Sequence, residues 1–407
     1  MKNEATISPT DLKKKFPVFS AHPDLVYLDN AATTHKTASV IDAMDRFYRD
    51  ENANIQRGIY DLSQQATIRF DSARKSMGKF IGAANENCIC FTSGATESIN
   101  MVAFGFLKKQ LRRGDNVVIS IMEHHANFIP WQVVCTQTGA ELRIVNCSDE
   151  GDIDLPDLKK KLDRNTRLLA ITHINNTLGT INPVNEIIAM SHDQNIPVLI
   201  DAAQSAALYT INVQKTDCDF LVFSGHKIFG PQATGVLYAK ETHHDLMDPL
   251  VYGGGAITEV FTDKTHFRDF PYRMEAGTPH IAGVIGLEQA IRFIDSLDRS
   301  NEIKKLNSLT RKTIEILEEM RHYRIVGRPN ERSSIISFVH DDLHPHDIGS
   351  LLNEDMIAVR AGFHCTQPLL TRLKVPSTVR VSFSVYNGEN DVEKLKESLK
   401  SIDKLMR

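Results

Sequence analysis

No stretch of this 407-residue sequence approaches the length of apolar chain needed to cross a bilayer, and its polar opening, Met1-Lys2-Asn3-Glu4, contains no apolar signal core. A cytoplasmic location and no membrane partner are therefore expected. Neither charge is in excess. With 47 basic and 51 acidic residues the net charge is −4, which gives no reason to expect nucleic acid as a partner. The short basic clusters Lys13-Lys14-Lys15 and Lys159-Lys160-Lys161 lie in amphipathic helical patterns and read as solvated faces. The six cysteines (Cys88, Cys90, Cys135, Cys147, Cys218, Cys365) lack the double-pair spacing of a zinc site. A cytoplasmic protein keeps such thiols reduced, and Cys88 and Cys90 alternate along one strand-like stretch as buried neighbours. The histidine-rich run from His340 to Asp347 also misses any defined zinc spacing, so no metal is expected. There His346 or Asp347 reads as a helix cap. Internal repeats, low-complexity tracts and long linkers are absent as well.

What is present is an alternation of strand-like and helix-like segments, the signature of a doubly wound α/β sheet that is mostly parallel. Seven strand candidates run through the middle of the chain: Cys88–Phe91, Asn116–Ser120, Glu141–Val145, Leu168–Thr172, Val198–Ile200, Phe220–Phe223 and Gly235–Tyr238. Helices are expected between them, for example Glu97–Leu111 and Val184–Asn195. After about Thr278 the pattern changes to helices Ile281–Asp298 and Asn301–Arg321, strands Ser334–Val339, Ile357–Arg360 and Val379–Ser382, and a last helix from Glu389. These segments predict a large domain over 20–278. A smaller α+β domain is expected from 279–407 with 1–19, the latter holding a helix near Pro9–Lys15. The site is expected in the cleft between the domains.

Two strand ends carry the strongest chemical signal. Phe220–Phe223 leads into Ser224-Gly225-His226-Lys227, and Val198–Ile200 ends in Asp201-Ala202-Ala203-Gln204. Both fall at the ligand-binding edge of an open α/β sheet. An amine for a Schiff base and a carboxylate for a pyridinium nitrogen are what pyridoxal phosphate requires. Thr92-Ser93-Gly94-Ala95-Thr96-Glu97 follows a strand and opens a helix, where unpaired N–H groups suit a phosphate, although a plain cap from Ser93 and Glu97 explains it equally. His124, after the strand ending at Ser120, is placed to stack on a cofactor ring; His125 is ambiguous. In the loop Arg360-Ala361-Gly362-Phe363-His364-Cys365, the neighbours Arg360 and His364 favour a thiolate on Cys365. Arg380 offers a fork for a substrate carboxylate.

In LDNAAT (28–33), TSGATESIN (92–100), EHHAN (123–127), DAAQS (201–205), FSGHKIFGP (223–231), EAGTP (275–279) and RAGFHC (360–365), the sequence resembles the cysteine desulfurases of the class V aminotransferase group. The likeness is to the branch of SufS-type desulfurases and cysteine sulfinate desulfinase. It implies a pyridoxal phosphate fold of type I and a homodimer that removes sulfur from L-cysteine for an acceptor protein. By that resemblance Lys227 is the Schiff-base lysine and Cys365 the persulfide-forming nucleophile. His124 stacks on the ring, Asp201 pairs with its nitrogen and Gln204 contacts its hydroxyl. Ala95 (through its backbone), Thr96, Ser224 and His226 hold the phosphate, joined by Gly277 and Thr278 of the other subunit. Asn30, Asn176, Arg360 and Arg380 face the substrate. Gln56, Ala95 and Phe363 depart from the usual pattern, Phe363 beside the nucleophile bearing on substrate preference. Selenocysteine or cysteine sulfinate as main substrate, or another pyridoxal phosphate reaction on this scaffold, are the alternatives.

Overall fold

The computed structural model describes residues 12–405, so Pro9, Thr10 and Asp11 of the expected N-terminal helix lie outside the described residues. Fifteen strands fall in this span: β1 (Val26–Tyr27), β2 (Ile89–Thr92), β3 (Asn116–Ser120), β4 (Glu141–Val145), β5 (Thr166–Thr172), β6 (Val198–Asp201), β7 (Phe220–Ser224), β8 (Gly235–Ala239), β9 (Ile257–Val260), β10 (Thr265–Phe267), β11 (Tyr323–Val326), β12 (Ile335–His340), β13 (Ile357–Ala358), β14 (Arg360–Gly362) and β15 (Thr378–Ser382). The large sheet has seven strands in the order β2-β8-β7-β6-β5-β3-β4. Only β8 runs against the others, so β2, β3, β5, β6 and β7 deliver their carboxyl ends to one edge.

Strand periodicity explains why this sheet is covered on both faces. Val118, Leu169, Ile171, Val198, Ile200, Leu221 and Phe223 enter one core cluster. Their alternating neighbours Val117, Ile119, Leu168, Ala170, Leu199, Phe220 and Val222 enter another on the opposite face. Such continuous apolar runs are what a parallel sheet sandwiched between helices requires. A second, antiparallel sheet, β11-β12-β15-β14, is packed by the helices Arg299–Glu319, Pro345–Glu354 and Glu389–Leu405.

Several local expectations change. The single strand expected over Ile357–Arg360 is two, because β13 pairs with β1 while β14 pairs with β15, and the chain changes sheets at Val359. The helix expected over Glu97–Leu111 is α-helical only over Ala95–Asn100 and widens to a π-helical turn over Met101–Leu107. His344, in place of His346 or Asp347, caps the helix Pro345–Glu354, its Nδ1 accepting the His346 N–H. The expected boundary at 278/279 falls just before the helix Ile281–Asp295, which packs on the helices Ala38–Arg46 and Asp61–Ile81 of the large unit.

One buried ion pair ties the 275–278 segment to the sheet. Arg74 is 2% exposed and forks onto Glu275, with both N–O distances 2.7 Å, while Nη1 also donates to the Ile89 carbonyl. Glu275 accepts the Phe91 N–H as well, and the guanidinium lies 4.8 Å from the Phe91 ring centroid and 5.3 Å from that of Tyr272. Removing one partner leaves the other as an uncompensated buried charge. Arg74→Ala is therefore expected to cost about 3–5 kcal/mol of stability in a denaturant titration; a loss below about 1 kcal/mol counts against this role.

Candidate active site

The carboxyl edge of the large sheet opens into a cavity of about 290 Å³. Its wall brings together Ala95, Thr96, His124, Asn176, Asp201, Gln204, Ser224, His226, Lys227, Arg360, His364, Cys365 and Arg380. The helix starting at Ala95 aims its first turn at this space, and β8 can lie against that turn because residue 235 is glycine. A Cβ there would stand 2.4 Å from Gly94 Cα. The Ala95 N–H donates to Ser224 Oγ at 2.9 Å, joining two of the expected phosphate ligands.

Lys227 sits in the turn Gly225–Lys227 that ends β7. That turn is clamped from outside. The His226 carbonyl accepts from Thr34 N (2.9 Å), Thr33 Oγ1 (3.1 Å), Thr34 Oγ1 (3.1 Å) and Lys36 Nζ (3.3 Å). Burial lowers the pKa of the Lys227 amine, with Asp201 opposing the shift. Burial raises that of Asp201, against an N–H donated by Ala203 (2.9 Å) and the attraction of Lys227. Gln204 reaches the cavity from the turn after β6 and donates to the Ala31 carbonyl at 2.8 Å.

His124 Nδ1 accepts the Ala126 N–H at 3.0 Å, so the proton resides on Nε2. Burial, aided by Lys227, pulls its pKa down to about 3, so the ring is neutral. Beneath it, Glu123 is fully buried. Ser120 Oγ and Asn127 Nδ2 donate to its two oxygens at 2.5 and 2.6 Å, and Trp131 Nε1 donates to Asn127 Oδ1 at 2.9 Å. Burial, helped by the charge of Asp201, raises the Glu123 pKa to about 8 despite those donors.

Cys365 is exposed, whereas the other five cysteines are buried. The expected help from His364 is not there. Its pKa is pushed down to about 3, mainly by burial, and its Nε2 faces Thr378 Oγ1 at 2.8 Å. The cationic groups that act on Cys365 are Arg360, Arg380 and Lys227. The loop is held by hydrogen bonds on both sides of the cysteine. Asn176 Nδ2 donates to the His364 carbonyl (2.7 Å), the hydroxyls of Thr177 and Thr366 meet at 2.5 Å, and the His125 N–H donates to the Cys365 carbonyl (2.7 Å). His125 thus braces the loop. His364 and Cys365 take left-handed φ values of 51° and 57°, a strain that a functional site sustains when its surroundings fix it.

Some expected residues lie elsewhere. Asn30 is turned away from the cavity; its side chain donates to the Ser382 carbonyl (2.7 Å) and Asn387 Oδ1 (3.2 Å) and accepts from Tyr386. Gly277 and Thr278 line a separate cavity of about 240 Å³ with Gln56 and Arg57. Sequence reasoning missed Asp29, Glu123 and the Thr33–Lys36 clamp. Asp29 lay inside a quoted stretch, flanked by the residues that drew attention.

A buried amine facing a buried carboxylate, a helix start beside two hydroxyls, and a neutral imidazole make a donor set that fits pyridoxal phosphate, and with this sheet they define an enzyme of fold type I. The chain belongs to the class V aminotransferase family, whose model matches residues 26–395. It is 41% identical over 392 residues to a probable cysteine desulfurase of Halalkalibacterium halodurans, covering 96% of each chain. Among solved structures, an apo cysteine desulfurase from Thermococcus onnurineus superposes with a TM-score of 0.93 at 37% identity over 99% of both chains. The cysteine desulfurase CsdA from Escherichia coli gives 0.92 at 34% identity, covering 98% of this chain and 100% of its own.

The buried carboxyl of Glu123 generates a pH prediction. Its pKa of about 8 in the folded chain lies above the ordinary 4.5, so the folded state holds a proton that the unfolded state loses first. Stability from this group is full below about pH 4.5 and is lost as pH rises through 8. In Glu123→Gln that loss is absent. Its melting temperature should gain on the wild type by several degrees between pH 5 and 8.5, and parallel melting curves would refute the assignment.

Proposed function

We propose that this chain is a pyridoxal phosphate-dependent cysteine desulfurase that converts L-cysteine to L-alanine and holds the sulfur on Cys365 for an acceptor protein. The observation that carries it is the one exposed cysteine at the mouth of the cavity containing Lys227 and Asp201. Lys227, whose burial favours the neutral amine, would hold the cofactor and take the substrate's α-proton. Asp201 would pair with the ring nitrogen of the bound cofactor and favour its protonated form. The cofactor supplies the electron sink that stabilises negative charge at the substrate's α-carbon. Neutral His124 presents an Nε2–H donor, and the side chain of Arg380 binds the substrate carboxylate. The Cys365 thiolate attacks the substrate sulfur. The new S–S bond forms as the substrate's C–S bond breaks and the bonding pair remains on carbon; protonation of that carbon and return of a proton to the α-carbon complete alanine.

Cys365→Ser tests the reading directly. It removes no group from the cofactor's surroundings, so bound cofactor and its visible spectrum should persist. Alanine formation from cysteine should fall about 10³-fold or more. Turnover of cysteine sulfinate and selenocysteine by the variant would show that the rest of the site still works, because their leaving groups need less nucleophilic help. Near wild-type alanine formation from cysteine would make Cys365 structural and the enzyme another lyase.

The working unit is a cytoplasmic homodimer in which Gly277 and Thr278 complete the neighbour's phosphate site. Exposed apolar residues close in sequence to the lining of that second cavity support this: Ile59 is 93% exposed, and Tyr60 and Tyr252 more than half. Sedimentation at assay concentration should give a dimer; a fully active monomer would remove this part of the proposal.

A further inference from the structure

The strand ends that form the catalytic cavity also line another, which we call the rear cavity. Thr172, Ile174 and Asp201 face the catalytic space, while their alternating neighbours His173 and Ile200 line the rear one. At about 300 Å³ it is as large as the catalytic cavity, at about 290 Å³. It lies at a seam between the two units. Arg299, Ser300 and Ile303, at the start of the helix Arg299–Glu319, close it against residues of the large sheet. Small-molecule sites concentrate at such seams.

The lining suits an uncharged guest. Ile188, Ile200 and Leu221 make a buried apolar floor, with Leu208 and Ile303 beside them. Set into that surface are His173 and Tyr209, whose ring centroids are 6.1 Å apart. Neither side chain has a hydrogen-bond partner among the described residues. Burial pulls the pKa of His173 down to about 4 and pushes that of Tyr209 up to about 12, so both are neutral at pH 7. Each then offers a donor and an acceptor. Among the described residues of the lining there is no carboxylate, and the one cation, Arg299, is already engaged. It pairs with Asp295 and lies 5.1 Å from the Phe80 ring centroid.

Two contacts tie this cavity to the catalytic one. The His173 N–H donates to the Asp201 carbonyl at 2.9 Å. Tyr209 packs on the cluster of Ala31, Ile174 and Ile335, of which Ala31 and Ile174 line the catalytic cavity. A guest that shifts either ring therefore shifts a wall of the cofactor site. We propose that the rear cavity is a regulatory binding site for a small, uncharged, largely apolar molecule with one hydroxyl group. The hydroxyl meets His173 and Tyr209, and the apolar body covers Ile188, Ile200 and Leu221.

The probe is 2-naphthol, an apolar body with one hydroxyl, titrated calorimetrically into the enzyme loaded with pyridoxal phosphate. It should bind saturably, one molecule per chain. The charged analogue 2-naphthoate, with the same rings, should bind about tenfold more weakly or worse, because no unpaired cation receives it. Ile303→Trp and, at an exposed position, Thr210→Trp each place an indole in the cavity. Either should weaken 2-naphthol by about tenfold or more, so a single folded variant decides the matter. Saturating 2-naphthol should change the cofactor's visible absorbance in the wild type and leave it unmoved in the filled variants. The inference is overturned by the absence of saturable binding, by 2-naphthoate binding as tightly as 2-naphthol, by undiminished binding to a folded filled variant, or by binding that leaves the absorbance unchanged.

Discussion

Everything at the sheet edge answers to one constraint: a lysine amine must stay buried and reactive in a turn that the backbone would not choose. Burial alone disfavours the ammonium form, and Asp201 is the counter-charge that keeps the shift in check. The chain after Lys227 passes through Phe229 with φ of 63°, a left-handed conformation that costs a buried aromatic residue about 1–3 kcal/mol. Thr34 offsets that strain, its Oγ1 accepting the Phe229 N–H at 2.8 Å while its own N–H binds the His226 carbonyl. The N-terminal segment is thus built around the lysine turn.

The opposite wall comes from the small sheet, and the pleat of β15 decides what it shows. Val379 and Val381 point into the apolar cluster of that unit. Thr378, Arg380 and Ser382 take the other face. Thr378 holds the His364 imidazole, Arg380 lines the cavity, and Ser382 accepts the Ala31 N–H at 2.9 Å. A single strand therefore sets the cysteine loop, Arg380 and the segment 28–31 in one register. A one-residue slip would bury the arginine in the core and expose the valines.

The large sheet was legible because its strands are continuous apolar runs whose ends are marked by chemistry. The expected Asn116–Ser120 and Glu141–Val145 are the observed β3 and β4, and the strand before Lys227 extends by one residue, Ser224. Lys227, Asp201, His124 and Cys365 meet as their strand-end positions implied. Charge state was less legible. His364 reads in sequence as a cation beside a thiol, but burial makes it neutral, and burial is a property of the fold. Asp29 carries no sign in sequence of the two arginines that meet it, since 331 and 351 residues separate them from it. The sheet change at Val359 was hidden for the same reason, because pairing partners are set by tertiary register and not by local pattern.

The departures from the family pattern can now be placed. Ala95 contributes through its backbone N–H, which a change of side chain does not remove. Gln56 accepts from Arg268 at 3.0 Å beside Gly277, so that substitution acts on the second cavity and not at Lys227. Phe363 is 49% exposed and does not line the main cavity, although Cys365 two residues on does. An aromatic ring in that position cannot select the substrate by contact within the pocket. It belongs to the outer surface beside Cys365, so this departure acts on what approaches the cysteine from outside and not on the pocket interior.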